Sequence, residues 1–211
     1  MNVEENKIKT RKHLKLMQAH QNNITISDMN LLDKFKFVED SKLNESKTLL
    51  YEITRKKKTY KRYARGAIVR VKFGVNVGSE FSGDHFAIVL SKGDTMMSST
   101  LHVIPLTSKK HLKNINIGNI LYSEIEINKL KELLKETTDK KKKKEISSCI
   151  KFYEKRKNTI TYACMDHLKT ISKLSICKYI NDYDYLSNIR IPSEILKQID
   201  RAIINEYTIY N

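Results

Sequence analysis

All six glycines of this 211-residue chain lie between Gly66 and Gly118. Glycine suits turns and β-bulges, but it weakens the interior of a helix. We therefore expect a turn-rich β centre flanked on both sides by helices.

The first part of the glycine window alternates with a period of two. Val69, Val71 and Phe73 fall on one side of the segment, and Ile68 falls on the other side with two basic residues. Such alternation predicts a half-buried strand. Residues 86–90 and 101–106 are more apolar, which indicates two more deeply buried strands.

Three strands separated by glycine turns favour a small barrel or sandwich. The connection over residues 74–85 is long for a hairpin, and loops of this length in small domains often carry function.

The flanks show helical spacing of their apolar residues. We expect a helical extension over residues 1–62 and a helical insertion over residues 123–158, which interrupts a barrel domain spanning residues 63–211. The insertion should be a helical hairpin joined near the solvated lysine run 140–144. Residues 159–165 have strong β character, and a terminal helix should open near Pro192.

Residues 55–65 alternate basic side chains with Tyr60 and Tyr63. Such a run could bind RNA by charge and stacking, or it could be the solvated end of the preceding helix. The sequence favours the helix end but leaves both interpretations open.

The chain has 40 basic and 24 acidic residues, so its formal net charge is +16. Clustered lysine and arginine favour an anionic partner such as nucleic acid, although solubility or adhesion to acidic lipids would also suit this charge. No stretch of about 18 apolar residues occurs and the N-terminus lacks a hydrophobic segment, so we expect a cytoplasmic protein without membrane contact.

The residues that usually mark metal or nucleotide chemistry lack the required spacing. Cys149, Cys164 and Cys177 are odd in number and form no C-x-x-C pair, so we expect reduced thiols. The histidines form no zinc-binding set, and the P-loop, zinc-protease and serine-hydrolase motifs are missing from the sequence. We therefore expect neither a metal nor another cofactor.

Four blocks of the sequence occur in the order typical of one family. Residues 65–73 form an R-G-A-I strand, residues 77–90 contain G-S-E followed by a strand, residues 103–108 form a strand ending in Thr107, and residues 165–171 contain an acidic residue before a basic one. Together they resemble the MazF/PemK family of toxin ribonucleases.

The resemblance implies an α+β fold, with a small SH3-like β-barrel of the MazF/PemK/CcdB type and a C-terminal helix. It also implies a sequence-selective endoribonuclease that cuts single-stranded RNA (mRNA) without a metal, leaving 2′,3′-cyclic phosphate and 5′-hydroxyl ends. Such a toxin would form a homodimer and would be restrained by a cognate antitoxin. The N-terminal helices and the lysine-rich insertion lie outside the resemblance.

The resemblance also assigns site residues. His85 takes the position of the family's catalytic Arg, and an imidazole can act as an acid or a base near neutral pH. Thr107 matches the family's Thr, and Glu80 matches the acidic residue of the G-S-E loop. The residues expected to bind RNA are Arg65, Ser79, Lys109, Asp166, His167 and Lys169.

The sequence also allows two other functions. The exchange of Arg for His at position 85 could have left a non-catalytic RNA-binding barrel. A toxin with the same barrel could also act on a protein such as gyrase, since one fold hosts unrelated activities. The G-S-E loop and Thr107 argue against a protein target.

Overall fold

A computed structural model describes residues 11–12, 14–20, 37–122, 124–177 and 189–208. The chain divides into two compact units, one comprising residues 1–54 and 73–83 and the other comprising residues 55–72 and 84–211. No helix in the described part is both long and apolar enough to cross a membrane.

The first unit contains helix α1 (Val38–Thr54) and the loop 73–83, and residues 11–12 and 14–20 are also helical. Glu39 and Asp40 lie in the first turn of α1, where negative charge stabilises the exposed amide end of a helix. Helical structure in the predicted extension is thus observed up to Thr54, and residues 1–10 and 21–36 lie outside the described residues.

The second unit contains the sheet. Its strands are β1 (Ile68–Lys72), β2 (Asp84–Val89), β3 (Thr100–Thr107), β4 (Ile115–Gly118), β5 (Thr161–Ala163), β6 (Lys169–Ser172) and β7 (Ile176–Cys177). Every pairing among them is antiparallel. The order along the sheet is β4-β5-β3-β2-β1-β7, and β6 also pairs with β3.

Strand β3 organises this sheet because it has three partners. It pairs with β2 from Val103 to Pro105 along one edge. Along the other edge its first half pairs with β6, and its last two residues, Leu106 and Thr107, pair with β5. The strand therefore leaves β2 at Pro105 and continues only with β5.

The α+β class predicted from the sequence is confirmed. The strands predicted at residues 67–73, 86–90, 101–106 and 159–165 correspond to β1, β2, β3 and β5. Among the described strands, the pairing path runs from β4 to β7 without joining its two ends, so the predicted barrel is an open, seven-stranded sheet.

The insertion is a helical hairpin, as the sequence predicts. Helices α2 (Glu124–Glu136) and α3 (Lys140–Glu154) pack against each other, and the five exposed lysines occupy the first turns of α3. The side chain of Asp139 caps α3 by accepting hydrogen bonds from two backbone amides. The terminal helix α4 (Ser193–Tyr207) begins where Pro192 predicts it.

Helices α2, α3 and α4 pack on one face of the sheet. Ile68, Ile88 and Ile104 are buried there in a core that includes residues of α2, α3 and α4. The helical contribution to this core comprises Ile127, Leu130, Ile146, Tyr153 and Ile199. Strand alternation places Val69, Val71, Ala87 and Val103 on the opposite face, and these four residues are also buried.

Gly66 fixes the approach of the chain to β1. Its φ angle is +80°, a left-handed conformation that glycine adopts without steric penalty. A Cβ atom at this position would lie 3.0 Å from Leu196 Cδ1 of α4. The amide of Ile191 donates to the Gly66 carbonyl at 2.9 Å, so the segment before α4 is tied to the start of the sheet.

Residues 55–65, which we call the basic strap, form neither helix nor strand. The Tyr60 amide donates to the Met96 carbonyl at 2.8 Å, and the Tyr63 amide donates to Asp94 Oδ2 at 2.8 Å. The prediction of a solvated helix end is therefore wrong, because α1 ends at Thr54 and the backbone of the basic strap is held by the β2–β3 connection.

A buried ion pair anchors the basic strap. Lys173 Nζ lies 2.6 Å from Asp94 Oδ1, and the two side chains are 2% and 1% exposed. Lys173 also donates to the Thr95 carbonyl at 2.8 Å. Burial alone would raise the pKa of Asp94, but the hydrogen bonds from Lys173 and the Tyr63 amide outweigh burial and hold this pKa below its usual value.

We predict that Asp94→Asn destabilises the fold by about 3 kcal/mol or more at neutral pH, because it leaves the buried Lys173 ammonium without a counter-charge. A lowered pKa in the folded state means that the stabilisation by Asp94 is present above its unfolded value of about 4 and is lost as the pH falls through the folded value. The difference between wild type and variant should therefore shrink below about pH 4.

Urea unfolding at pH 7 and at pH 3 would measure both effects. Lys173→Met combined with Asp94→Asn serves as the control, because the double variant has no unpaired buried charge and should lose less than the two single losses added together. Additive losses, or an equal effect of Asp94→Asn at both pH values, would contradict the role given to this pair.

Candidate active site

The departure of β3 from β2 brings two predicted site residues to the same end of the sheet. Ala87 pairs with Pro105 at the end of the β2–β3 ladder. His85 lies two residues before Ala87, and Thr107 lies two residues after Pro105. The same register, extended by two residues, matches His85 with Thr107 at the point where the two strands separate.

His85 and Thr107 also share one face of the sheet. Residues that alternate along a strand point to the same face, and so do directly paired residues on neighbouring strands. His85 pairs with Val71 of β1, and its face of β2 also carries Ala87. Ala87 pairs with Pro105, which lies two residues from Thr107 on β3. The two polar side chains therefore continue the buried apolar face that lies opposite the helices.

Lys169 lies on this face as well. It opens β6 and pairs with Val103, four residues before Thr107 on β3. Lys169 and His85 are both half-buried, so part of each side chain remains accessible. A cation, an imidazole and a hydroxyl thus lie on one face of the three strands β2, β3 and β6.

Thr107 is half-buried, and its Oγ1 accepts a hydrogen bond of 3.1 Å from the Lys109 amide. This bond uses an acceptor position of the hydroxyl, so the hydroxyl hydrogen can still be donated. Lys109 is exposed in the turn that follows β3. This hydrogen bond holds the turn after β3 against the Thr107 hydroxyl.

The pairing of Thr107 identifies residues that sequence reasoning missed. Thr107 pairs with Tyr162 of β5, which in turn pairs with Asn116 of β4. Tyr162 is buried, whereas Asn116 is exposed. Both belong to the Thr107 face, and only the strand register could have placed them there.

Asp166 and His167 lie in a turn of 3-10 helix, Met165–His167, between β5 and β6. Lys113 Nζ lies 3.3 Å from Asp166 and 2.8 Å from Glu206 of α4. Hydrogen bonds to Glu206 and Asp166 raise the pKa of Lys113 above its usual value. Lys113 and Glu206 carried no signal in the sequence, because nothing local predicts a contact between residues so distant along the chain.

Cys164, the residue before this 3-10 turn, is poorly suited to act as a nucleophile. Burial, together with the nearby Asp166 carboxylate, raises the pKa of the Cys164 thiol to about 11. Because the thiolate is the reactive form of cysteine, Cys164 is held in its inert form at neutral pH. Its buried position is consistent with the reduced thiol expected from the sequence.

Arg65 lies at the other end of β2. Its guanidinium donates to the Leu90 carbonyl and forms an ion pair with Asp200 of α4. The Arg65 side chain is 21% exposed. The structure therefore gives Arg65 a role in holding the terminal helix, and it separates Arg65 along β2 from His85.

Ser79 and Glu80 belong to the other compact unit, in the loop 73–83. The Asn76 side chain braces this loop by donating to the carbonyls of Phe73 and Phe81, at 2.9 Å and 2.6 Å. The rings of Phe73 and Phe81 meet edge to face with their centroids 5.8 Å apart. Ser79 and Glu80 are exposed in this braced loop.

His102 lies on the face of the sheet opposite His85, so it can serve as a control for that residue. His102 lies on β3 between Leu101 and Val103, so its side chain points away from their face. It is exposed, and its Nδ1 lies 2.9 Å from the Thr170 hydroxyl.

In the part of the chain that the structure describes, no three His, Cys, Asp or Glu side chains are grouped so that they could hold a metal ion.

Comparison with known proteins agrees with this architecture. No curated protein matches the chain. A sequence model of the family described as PemK-like, MazF-like toxin of type II toxin-antitoxin system matches residues 64–206, which include the whole sheet and the helical insertion. The match covers well over half of the chain, so the protein belongs to the PemK-like, MazF-like family of toxins of type II toxin–antitoxin systems.

Proposed function

We propose that the protein is a sequence-selective endoribonuclease that cleaves single-stranded messenger RNA without a metal ion, as the toxin of a toxin–antitoxin pair. The observation that carries this proposal is the common position of His85 and Thr107. Both lie on one face of the sheet, two residues beyond the last β2–β3 pair. An acid–base group and a hydroxyl donor at one end of a basic sheet suit phosphodiester cleavage.

The proposed reaction transfers the phosphorus from one oxygen of the RNA to another. The ribose 2′-hydroxyl loses its proton to a base, and the 2′-oxygen forms a bond to the neighbouring phosphorus. The bond from phosphorus to the 5′-oxygen breaks, and an acid donates a proton to this leaving oxygen. The products are a 2′,3′-cyclic phosphate and a 5′-hydroxyl.

His85, Thr107 and Glu80 are the catalytic residues of this proposal. His85 exchanges a proton with the reacting oxygens, which an imidazole can do near neutral pH. Thr107 donates its hydroxyl to a non-bridging phosphate oxygen, where negative charge grows in the transition state. Glu80 is included on the family resemblance alone, as a residue that orients a site group or accepts a hydrogen bond from a base.

The remaining site residues bind the RNA strand. Lys169 and Lys109 supply positive charge on either side of Thr107, which suits contact with phosphates. His167, Asp166 and Ser79 contact bases or ribose. Arg65 is not assigned to the RNA here, because its guanidinium already binds Leu90 and Asp200.

The proposed partners follow from the family and from the charge. An antitoxin is the partner implied by a type II toxin, and a chain with a net charge of +16 would suit an acidic one. We further propose that the toxin is a homodimer and acts in the cytoplasm, where messenger RNA is available.

We expect the wild-type protein to cut a long single-stranded RNA at discrete sites in EDTA, leaving cyclic phosphate ends. His85→Ala should lower the cleavage rate by about 100-fold or more, since acid–base groups contribute on that scale. His102→Ala is the matched control, because it removes an imidazole from the opposite face of β3. Its rate should stay within about twofold of wild type.

Binding of RNA by the wild type without any cut would contradict the proposal and favour a non-catalytic RNA-binding protein. Loss of gyrase activity in the presence of the protein, with intact RNA, would instead favour a protein target. An equal loss in His85→Ala and His102→Ala would remove His85 from the mechanism.

We also expect the cleavage rate to vary with pH between about 5 and 8, the range in which an imidazole changes charge. His85→Arg restores the side chain that the family uses, and a guanidinium keeps its charge throughout this range. The variant should therefore show a flatter profile of rate against pH. Identical profiles for the two proteins, measured under single-turnover conditions, would show that His85 does not exchange the proton.

A further inference from the structure

The basic strap is the most positively charged segment of the chain outside the lysine run of α3. Seven of its eleven residues are lysine or arginine, and none is acidic. The family match begins at residue 64, so nearly all of the basic strap lies before it. The proposed active site makes no use of these charges.

The backbone of the basic strap is fixed. Tyr60 is held by the Met96 carbonyl and Tyr63 by the Asp94 carboxylate, which is itself paired with the buried Lys173. Anchors three residues apart on a non-helical segment leave little freedom to the chain between them. The two anchors thus hold Lys61 and Arg62 in place, although like charges repel each other.

Four cationic side chains of the basic strap remain available. Lys56, Lys57, Lys61 and Arg62 are exposed, and none of the four forms an ion pair with another described residue. Their charges are therefore not neutralised by the part of the protein that the structure describes.

Two tyrosine rings lie among these cations. The Arg55 guanidinium lies 4.1 Å from the centroid of the Tyr60 ring, and Lys61 Nζ lies 5.5 Å from that of Tyr63. Both tyrosines are half-buried, and the centroid of the Tyr60 ring also lies 5.9 Å from the buried Lys173 Nζ. The basic strap thus combines cations with partly accessible aromatic residues, and this combination binds single-stranded nucleic acid.

The same features disfavour a protein partner. The centre of a protein–protein interface is apolar and poor in lysine. The basic strap contains four lysines, and Ala64 is its only aliphatic residue. Phosphate groups, in contrast, are bound by rows of exposed lysine and arginine through the release of counterions.

The basic strap and the candidate site occupy opposite ends of β2. His85 lies at the start of the strand, whereas Asp94 and Met96 follow its end. The four residue-to-residue steps of extended strand from His85 to Val89 already cover about 13 Å. An RNA that contacts both places must therefore extend several nucleotides beyond the cleaved bond.

We propose that the basic strap is a second RNA-binding site, which binds the sugar–phosphate backbone of single-stranded RNA away from the bond that is cut. The proposal rests on RNA being the substrate of the protein. The strap sets the affinity for long RNA, and the face with His85 and Thr107 performs the cleavage.

The test compares two variants of equal charge in the His85→Ala background, so that RNA remains intact during binding. The strap variant carries Lys56→Gln, Lys57→Gln, Lys61→Gln and Arg62→Gln. The control carries Lys140→Gln, Lys141→Gln, Lys142→Gln and Lys143→Gln, four exposed lysines at the start of α3. Fluorescence anisotropy with a labelled single-stranded RNA of about 25 nucleotides gives the dissociation constant from 50 to 300 mM KCl.

We expect the strap variant to bind at least about tenfold more weakly than the parent at 0.1 M KCl. Its plot of log affinity against log salt should be less steep by about 2 to 3, because each lost phosphate contact on a single strand removes about 0.7 from the slope. The control should bind within about twofold of the parent. Equal losses in the two variants, or no loss in the strap variant, would overturn the proposal.

A further comparison separates the alternatives. A polyglutamate peptide that binds the basic strap as tightly as RNA does would overturn the proposal in favour of an acidic protein partner. Equal melting temperatures of parent and variants exclude unfolding. If the strap variant has a lower melting temperature than the parent, two double variants replace it. Lys56→Gln with Lys57→Gln and Lys61→Gln with Arg62→Gln should each show part of the loss of RNA affinity.

Failure of this proposal is distinguishable from failure of the proposed function. RNA binding that depends on the basic strap, in a protein whose wild type does not cleave, would support the second site and reject the nuclease. Cleavage by the wild type, with RNA binding unchanged in the strap variant, would support the nuclease and reject the second RNA-binding site.

Discussion

The change of partners along β3 is the constraint on which the sheet and the candidate site both depend. The strand pairs with β6 as far as Val103, with β2 from Val103 to Pro105, and with β5 beyond Pro105. The Pro105 carbonyl accepts a hydrogen bond of 2.9 Å from the Cys164 amide, which fixes the entry to the 3-10 turn carrying Asp166 and His167. A single strand thereby positions Thr107, the turn and, through the register with β2, His85.

A second constraint operates at the other end of β2. The ion pair between Asp94 and Lys173 is almost wholly removed from water, and breaking such a pair is far more costly than breaking an exposed one. It joins the β2–β3 connection to the segment after β6 and, through the Tyr63 amide, holds the basic strap. The same connection therefore stabilises the sheet and positions the segment that carries the exposed cations of the basic strap.

Most of the fold could be predicted from the sequence because its signals are local. A period of two predicted β1, the confinement of glycine predicted the turn-rich centre, and helical spacing predicted the α2–α3 hairpin and α4. Ile68 was expected to share the more polar side of β1 with two basic residues. It is buried because α4 packs on that side. The interpretation of residues 55–65 as a helix end was wrong, because the contacts that hold this segment come from Asp94 and Met96, more than 30 residues away.

The candidate site was only partly accessible to sequence reasoning. The resemblance selected His85 and Thr107, but it carried no information on the register that gives them a common face. Only strand pairing places Tyr162 and Asn116 on the face of Thr107. Lys113 is connected to the site by its ion pairs with Asp166 and Glu206. Arg65 aligned with the family's first strand, yet its ion pair with Asp200 depends on where α4 packs. Contacts between distant residues set all of these outcomes.

In the proposed mechanism, His85 and Thr107 act on one phosphate as a single unit. A double-mutant cycle with His85→Ala, Thr107→Val and their combination, measured as single-turnover cleavage of RNA, reports this coupling. Residues that act as a unit show strongly non-additive effects, so the double variant should be hardly slower than the worse of the two single variants. A double variant whose loss equals the product of the two single losses would contradict a shared site.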